Sequence, residues 1–291
     1  MKPIPFEYFA PTSTEEALEH LANLGYNGKV LAGGQSLIPA MNFRMARPGA
    51  LVDLNGIPEL AYIKPTADGG LAIGTMTRDS KVEHSPEVAQ RFPLLLEVMP
   101  NIAHPQIRNR GTFGGSIAHA DPAGQLPAIS IVLNANLKVL KKGGERWVKA
   151  EEFFLGPFMT VLEPEEMLAE VVLPGLPPHT GSSYQQVSRQ KGGYSLAAVA
   201  SVVTLDTAGK CTSARMVMIS VGDVPILSEA ATRILVGQKP TPEAIAEVAE
   251  IAASKEIDPG TDIHATAEYR RHLVRVLVRR SLSTAFERAA K

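Results

Sequence analysis

Cysteine is almost absent: Cys211 is the single one in 291 residues. One thiol excludes an intrachain disulfide, a cysteine-built zinc site and an iron–sulfur cluster ligated by this chain alone. Any metal redox centre the chain works with must sit in another polypeptide. Long apolar runs are missing too, and Met1-Lys2-Pro3-Ile4-Pro5 lacks the apolar core of a signal peptide, so no transmembrane segment and a cytoplasmic location are expected. No charge of one sign prevails. A net charge of -1 gives no electrostatic case for nucleic acid or an anionic membrane. His-Glu-x-x-His, the Walker-type Gly-x-x-x-x-Gly-Lys-Ser/Thr and Gly-x-Gly-x-x-Gly are all absent, which disfavours the usual nucleotide folds.

What is present centres on Ile107 to Pro127, IRNRGTFGGSIAHADPAGQLP. Within it, Thr112-Phe113-Gly114-Gly115-Ser116 has the makings of a backbone cradle, because paired glycines permit close approach and the flanking hydroxyls can donate to an anion. Ala32-Gly33-Gly34-Gln35-Ser36 repeats that character upstream, behind Val30 and Leu31 and ahead of Leu37 and Ile38. A lone Gly-Gly-Ser is most often an ordinary turn. The pairing of two such segments favours a shared diphosphate.

The length suits two globular domains. A first β/α unit ends near Ile57: a strand at Phe6 to Phe9, a helix with Ser13 and Glu16 as capping box and Gly25 as stop, a strand at Lys29 to Ala32, a helical turn over Leu37 to Phe43, and a strand at Leu51 to Leu54. A second unit has strands at Leu60 to Lys64, Leu71 to Gly74, Leu137 to Leu140, Arg146 to Val148 and Met167 to Leu173. Its helices lie at Glu87 to Gln90, Leu94 to Ile102 and Ala123 to Ala135, the last pointing its N-terminus back at the glycine loop. Pro174 to Ser182 reads as a linker. Strands at Ser183 to Val187, Ala197 to Leu205 and Ala214 to Val221 then form an antiparallel sheet, closed by a helix opening at Thr241-Pro242 and a long one from about Ala265 to Ala290. Arg270, Arg271, Arg275, Arg279 and Arg280 on that last helix read either as a solvated face or as a docking surface.

Three stretches, AGGQSLIPAMNFR, HPQIRNRGTFGGSIAHADPAGQLPA and QKGGYSLAAVA, resemble the FAD-binding medium subunits of molybdenum hydroxylases, the group that includes the carbon monoxide dehydrogenase, quinoline oxidoreductase and xanthine dehydrogenase flavoproteins. The likeness runs over nearly the whole chain. It implies an α+β fold: a vanillyl-alcohol-oxidase-type (PCMH) FAD-binding domain over residues 1–175, with subdomains of about 1–57 and 58–175, then a C-terminal domain of antiparallel sheet plus helices over 182–291. It also implies that Ala32, Gly33, Gly34, Gln35, Ser36 and Leu37, with Thr112, Gly114, Gly115 and Ser116, hold the FAD pyrophosphate, mainly through backbone N–H groups. Asp121 either meets the ribose or adenine end or caps the following helix. Gln125 stands where many members of the family carry an acid, and its amide could still reach a ribose hydroxyl. Tyr194 either packs on the isoalloxazine ring or is a turn tyrosine.

The function so implied is electron relay. A large subunit would carry the molybdenum cofactor, a small subunit two iron–sulfur clusters, and the FAD held here would reduce an external acceptor, all within a heterohexamer of two three-subunit halves. No catalytic acid, base or nucleophile and no metal ligand is expected in this chain. The alternative is a free-standing FAD-dependent oxidoreductase with its own substrate site, for which His104 and His119 are the candidate bases.

Overall fold

The computed structural model describes residues 1–291. Ser13 sets the start of helix α1 (Thr14–Leu24): its hydroxyl accepts from the Glu16 amide, and the Glu16 carboxylate accepts from the Thr12 amide at 2.8 Å. The expected capping box therefore forms with its return contact one residue earlier, on Thr12. Ala17, Leu18 and Leu21 are buried, and Gly25 at φ 50° ends the helix. Strands β1 (Glu7–Phe9), β2 (Gly28–Leu31) and β3 (Ala50–Asp53) make a parallel sheet in the order β1-β3-β2, with α2 (Leu37–Asn42) between β2 and β3.

The second sheet is antiparallel, in the order β4-β5-β10-β6-β7. Its members are β4 (Ile63–Pro65), β5 (Leu71–Gly74), β6 (Asn136–Lys141), β7 (Gly144–Lys149) and β10 (Met167–Leu173), while β8 (Phe154–Gly156) and β9 (Met159–Thr160) form a separate hairpin. β4 begins later than the expected Leu60 because Pro58–Leu60 first takes a tight helical turn. Against this sheet lie α3 (Asp79–Glu83), α4 (Pro86–Arg91), α5 (Pro93–Val98), α6 (Pro105–Arg108), α7 (Phe113–His119), α8 (Gln125–Val132) and α9 (Ala150–Phe153). Of these, α3, α6 and α9 are too short to show a helical period in the sequence, and α7 opens on a glycine pair that reads as a turn.

The third sheet joins β11 (Thr180–Ser188), β12 (Ser195–Leu205), β13 (Cys211–Ile219) and β14 (Ile226–Leu227), all antiparallel. β11 starts inside the expected linker. Gly181 permits this, since a Cβ there would collide with the backbone of Ala285 and Ala289 in the last helix. Helices α10 (Ala230–Arg233), α11 (Pro242–Ile251), capped by Thr241, and α12 (Ala267–Ala289) complete the chain.

β12 is apolar on both faces. Ala197, Val199 and Val203 pack with Leu277, Val278 and Leu282 of α12, whereas Ala198, Ala200 and Val202 join Leu126, Ile129 and Phe153 in the core of the preceding unit. One hydrophobic core thus crosses the connection between the second and third sheets. The arginines of α12 split by position. Arg270 is buried and donates to Asp262 and to the carbonyls of Leu196 and Ser220, Arg271 donates to the carbonyls of Ala253 and Ile257, and Arg275 pairs in bidentate fashion with Glu250. Only Arg279 and Arg280 of the five stay on an exposed face. Cys211 is a core residue, its thiol pushed up to about 11 by burial.

Candidate functional site

β2 delivers Ala32 to Leu37 at its C-terminal end, half-buried, with Gly34 in the left-handed region at φ 71°. None of the amides from Gly33 to Leu37 donates to a protein acceptor, while the Gln35 side chain folds back to the Gly33 carbonyl at 3.0 Å. A run of adjacent N–H groups without acceptors is a concavity suited to an anion.

The second glycine segment is built differently from expectation. Thr112 to Ser116 is no loop but the cap and first turn of α7, and Thr112 accepts from the Gly115 amide at 3.2 Å. Phe113 donates to the Thr77 carbonyl, Gly114 to that of Thr75 at 3.0 Å and Ser116 to that of Thr112. These amides already have partners, so this segment contributes shape and the half-buried Ser116 side chain instead of backbone donors. The helix whose N-terminus lies at this segment is accordingly α7 and not α8, which begins beyond Gly124.

The two segments touch. A Cβ on Gly33 would strike the Arg110 carbonyl and reach Gly111 Cα at 2.8 Å, and one on Gly115 would stand 3.2 Å from the Ala32 Cβ. Gly114 has another reason to be glycine: its Cβ would run into Thr75, inside the packing of α7 on β5.

Asn55, Arg78 and Asp79 lie behind these segments, and the sequence offered no pattern that marks them. Arg108, just upstream, pairs with Glu83 in two contacts of 2.7 and 3.0 Å and is buried, so it serves the fold. Asp79 is 3% exposed with Oδ1 unpartnered, and burial pushes its carboxyl up to about 7 against the pull of Arg108 and Arg78, with Glu83 adding to the rise. Between the ordinary value of 3.8 and 7 the folded chain holds a proton that the unfolded chain has lost. The stability present at lower pH is therefore lost as pH climbs to about 7, by about 1.4 kcal/mol per pH unit for one proton. Asp79→Asn is expected to unfold at higher denaturant than the unsubstituted chain at pH 8 and at the same denaturant at pH 4; equal midpoints at both pH values would exclude a buried, titrating Asp79.

Asp121 and Tyr194 form a second grouping. Asp121 Oδ1 accepts from the Ala123 amide at 2.8 Å, which makes a tight turn; the cap of α8 is Gly124, so the helix-cap role expected for Asp121 is not realised. The segment carrying Tyr194 is held by Gly192, at φ 75°, whose missing Cβ leaves room for the Ala103 carbonyl, and by the Ser195 hydroxyl, 2.8 Å from that of Ser220, whose amide donates to the Pro122 carbonyl at 3.1 Å. The Tyr194 ring is 71% exposed, and its hydroxyl is raised in pKa by partial burial and by the Asp121 carboxylate. Both residues line a cleft of about 850 Å³ together with Phe158, Arg189, Asp262 and Arg270, a size in the range of cofactor sites. Gln125 does not face it. It is buried, with its amide nitrogen 3.3 Å from the Asn101 carbonyl and 3.5 Å from Gln186 Oε1, so that nitrogen is engaged within the protein.

The histidines near the site are structural. His119 packs on Phe158 with ring centroids 5.0 Å apart, and burial lowers its pKa. The His104 carbonyl accepts from the Ile107 and Arg108 amides at the start of α6.

Two family profiles span this architecture. That described as "FAD binding domain in molybdopterin dehydrogenase" matches residues 4–176, and "CO dehydrogenase flavoprotein C-terminal domain" matches 182–285. The chain is 42% identical to the 6-hydroxypseudooxynicotine dehydrogenase complex subunit alpha of Paenarthrobacter nicotinovorans, over 99% of this chain and 97% of that one. It is 38% identical to the carbon monoxide dehydrogenase medium chain of Hydrogenophaga pseudoflava, over the full length of both. Among solved structures, carbon monoxide dehydrogenase from Hydrogenophaga pseudoflava superposes with a TM-score of 0.95 over 99% of each chain, at 38% identity. Quinoline 2-oxidoreductase from Pseudomonas putida 86 superposes with a TM-score of 0.93 over the whole of both chains, at 33% identity. An α+β chain with two touching glycine segments, matched along its whole length in sequence and in structure, belongs to the family of FAD-binding medium subunits of molybdenum hydroxylases, and is an oxidoreductase subunit.

Proposed function

We propose that this chain is the FAD-carrying electron-transfer subunit of a molybdenum-containing hydroxylase, taking electrons from the iron–sulfur clusters of a small subunit and passing them to an external acceptor. The molybdenum cofactor belongs to a large subunit, and the assembly is a cytoplasmic heterohexamer of two heterotrimers. The chain's own arrangement is the PCMH type, with subdomains over about 1–57 and 58–175 followed by the domain over 182–291. Support comes from relatives named as medium chains or complex subunits.

The observation that carries the reading is the run of partnerless amides from Gly33 to Leu37. It fits a diphosphate because preorganised N–H donors stabilise that anion without a lysine, and neither glycine segment carries a carboxylate. In this reading Ala32 to Leu37 supply the donors, Thr112, Gly114 and Gly115 hold the opposing wall, and Ser116 adds a hydroxyl. In the cleft, Asp121 accepts from the ribose or adenine end, and the exposed Tyr194 ring covers the isoalloxazine face. FAD, when bound, supplies the electron-transfer chemistry; the protein supplies placement and local dipoles.

The test is the visible spectrum of the native complex with metal analysis on the same sample. Flavin absorbance accompanied by iron and molybdenum, with both metals lost once this chain is separated, is the expected result. Flavin with no metal partner and substrate turnover by the isolated chain would replace the relay with a free-standing flavoenzyme.

A further inference from the structure

A continuous hydrogen-bonded path joins the two glycine segments from behind. The Arg78 guanidinium donates to the Arg110 carbonyl at 2.5 Å and to Asn55 Oδ1 at 2.6 Å, and the backbone of Arg78 is bridged to that of Thr112. Asn55 Nδ2 donates in turn to the Ala32 carbonyl at 2.8 Å. Asp53 holds Asn55 from the other side: its Oδ1 accepts from both the backbone amide of Asn55 at 2.9 Å and its side-chain Nδ2 at 2.5 Å, and its Oδ2 receives the Tyr8 hydroxyl.

Each link dictates the next. Arginine is a donor only and the Asp53 carboxylate an acceptor, so the amide oxygen of Asn55 faces Arg78 while its nitrogen, with two N–H groups, serves Asp53 and the Ala32 carbonyl. The Ala32 carbonyl shares a planar trans peptide with the Gly33 N–H, and in that unit the two groups point in opposite directions. A carbonyl held on the Asn55 side therefore aims the Gly33 N–H, which has no protein acceptor, away from Asn55. The Arg110 carbonyl at the other end of the path is the same atom that a Gly33 Cβ would strike. The path thus fixes both the aim of the amide and the distance between the segments.

We propose that Arg78 and Asn55 are positioning residues for the diphosphate: Arg78, together with Asp53, fixes the orientation of the Asn55 amide, and Asn55 aims the Gly33 N–H at the anion. This rests on the pyrophosphate reading of the two segments. Neither side chain touches the ligand.

The test uses the complex carrying this chain, stripped of flavin and titrated with FAD, with variants Asn55→Ala and Arg78→Lys. Losing one aimed donor is expected to raise the FAD dissociation constant about fivefold, the scale of one net hydrogen bond. Arg78→Lys keeps the charge yet loses affinity as well, because an ammonium lacks the planar fork that spans both acceptors. The double variant loses less than the product of the two single losses, since both break one path. The ³¹P resonances of saturating bound FAD shift in each single variant while the heat stability of the flavin-free chain stays close to that of the unsubstituted one. FAD affinity within twofold in both variants, unmoved ³¹P resonances, or independent multiplication of the two losses would each overturn the proposal. Gly33→Val separates the levels: flavin retained in that variant removes the pyrophosphate site itself, whereas flavin lost there but retained in Asn55→Ala removes only the positioning role.

Discussion

Gly33→Val is expected to leave the complex without flavin, with the FAD dissociation constant raised at least about a hundredfold, or roughly 2.7 kcal/mol. The cause is backbone against backbone. A Cβ at Gly33 meets the Arg110 carbonyl and Gly111, neither of which is the far end of a flexible side chain, so the segments must part and the amide run moves away from its opposing wall. Valine adds branching at the same carbon and restricts χ1, which closes the remaining escape. Gly114→Val is the informative contrast. Its Cβ enters Thr75 within the packing of α7 on β5, so that variant is expected to lose fold stability rather than flavin specifically. The flavin-to-protein ratio from the visible spectrum, read beside the heat stability of the flavin-free chain, distinguishes the two. A Gly33→Val complex that stays yellow at full occupancy would move the diphosphate elsewhere.

Glu83→Ala is expected to cost the fold about 3–5 kcal/mol, the range for breaking one side of a buried ion pair. The Arg108 side chain is 7% exposed and its partner 15%, and the contact is bidentate. Alanine leaves the guanidinium buried, with only the Ile102 and Ala103 carbonyls as acceptors. Removing both charges in Arg108→Met with Glu83→Leu should recover much of the loss, because the uncompensated charge is then gone and the site is filled by apolar volume. Denaturant midpoints of the two variants and the unsubstituted chain decide it. A Glu83→Ala loss below about 1 kcal/mol, the value of an exposed pair, would mean the pair is solvated in solution.

Local chemistry made much of this protein readable in one dimension. Ser13, Thr241 and Gly25 announced helix boundaries because caps act within a turn of where they stand. Leu71 to Gly74 and Met167 to Leu173 showed as strands since a short apolar run between turn residues has few other uses. The glycine pairs marked the two segments that touch in the fold. The meaning of the individual glycines was less visible: Gly114 and Gly115 look alike in sequence, yet one packs on Thr75 and the other on Ala32.

The sequence by itself determined the family, the α+β order of elements, the two glycine segments and the lack of a cysteine-built metal centre in this chain, because each rests on residue type and short spacing. Tertiary structure alone decided which amides are free. Phe113 to Ser116 turned their donors inward once α7 formed against Thr75 and Thr77, while Gly33 to Leu37 kept theirs open. It also decided that Gln125 is buried on Asn101, that Asp79 carries a raised pKa, and that Arg78 and Asn55 stand behind the site. The reason is physical. A donor's availability, a carboxyl's desolvation and a side chain's partner depend on groups brought together from distant parts of the chain, and no local pattern encodes which groups those are.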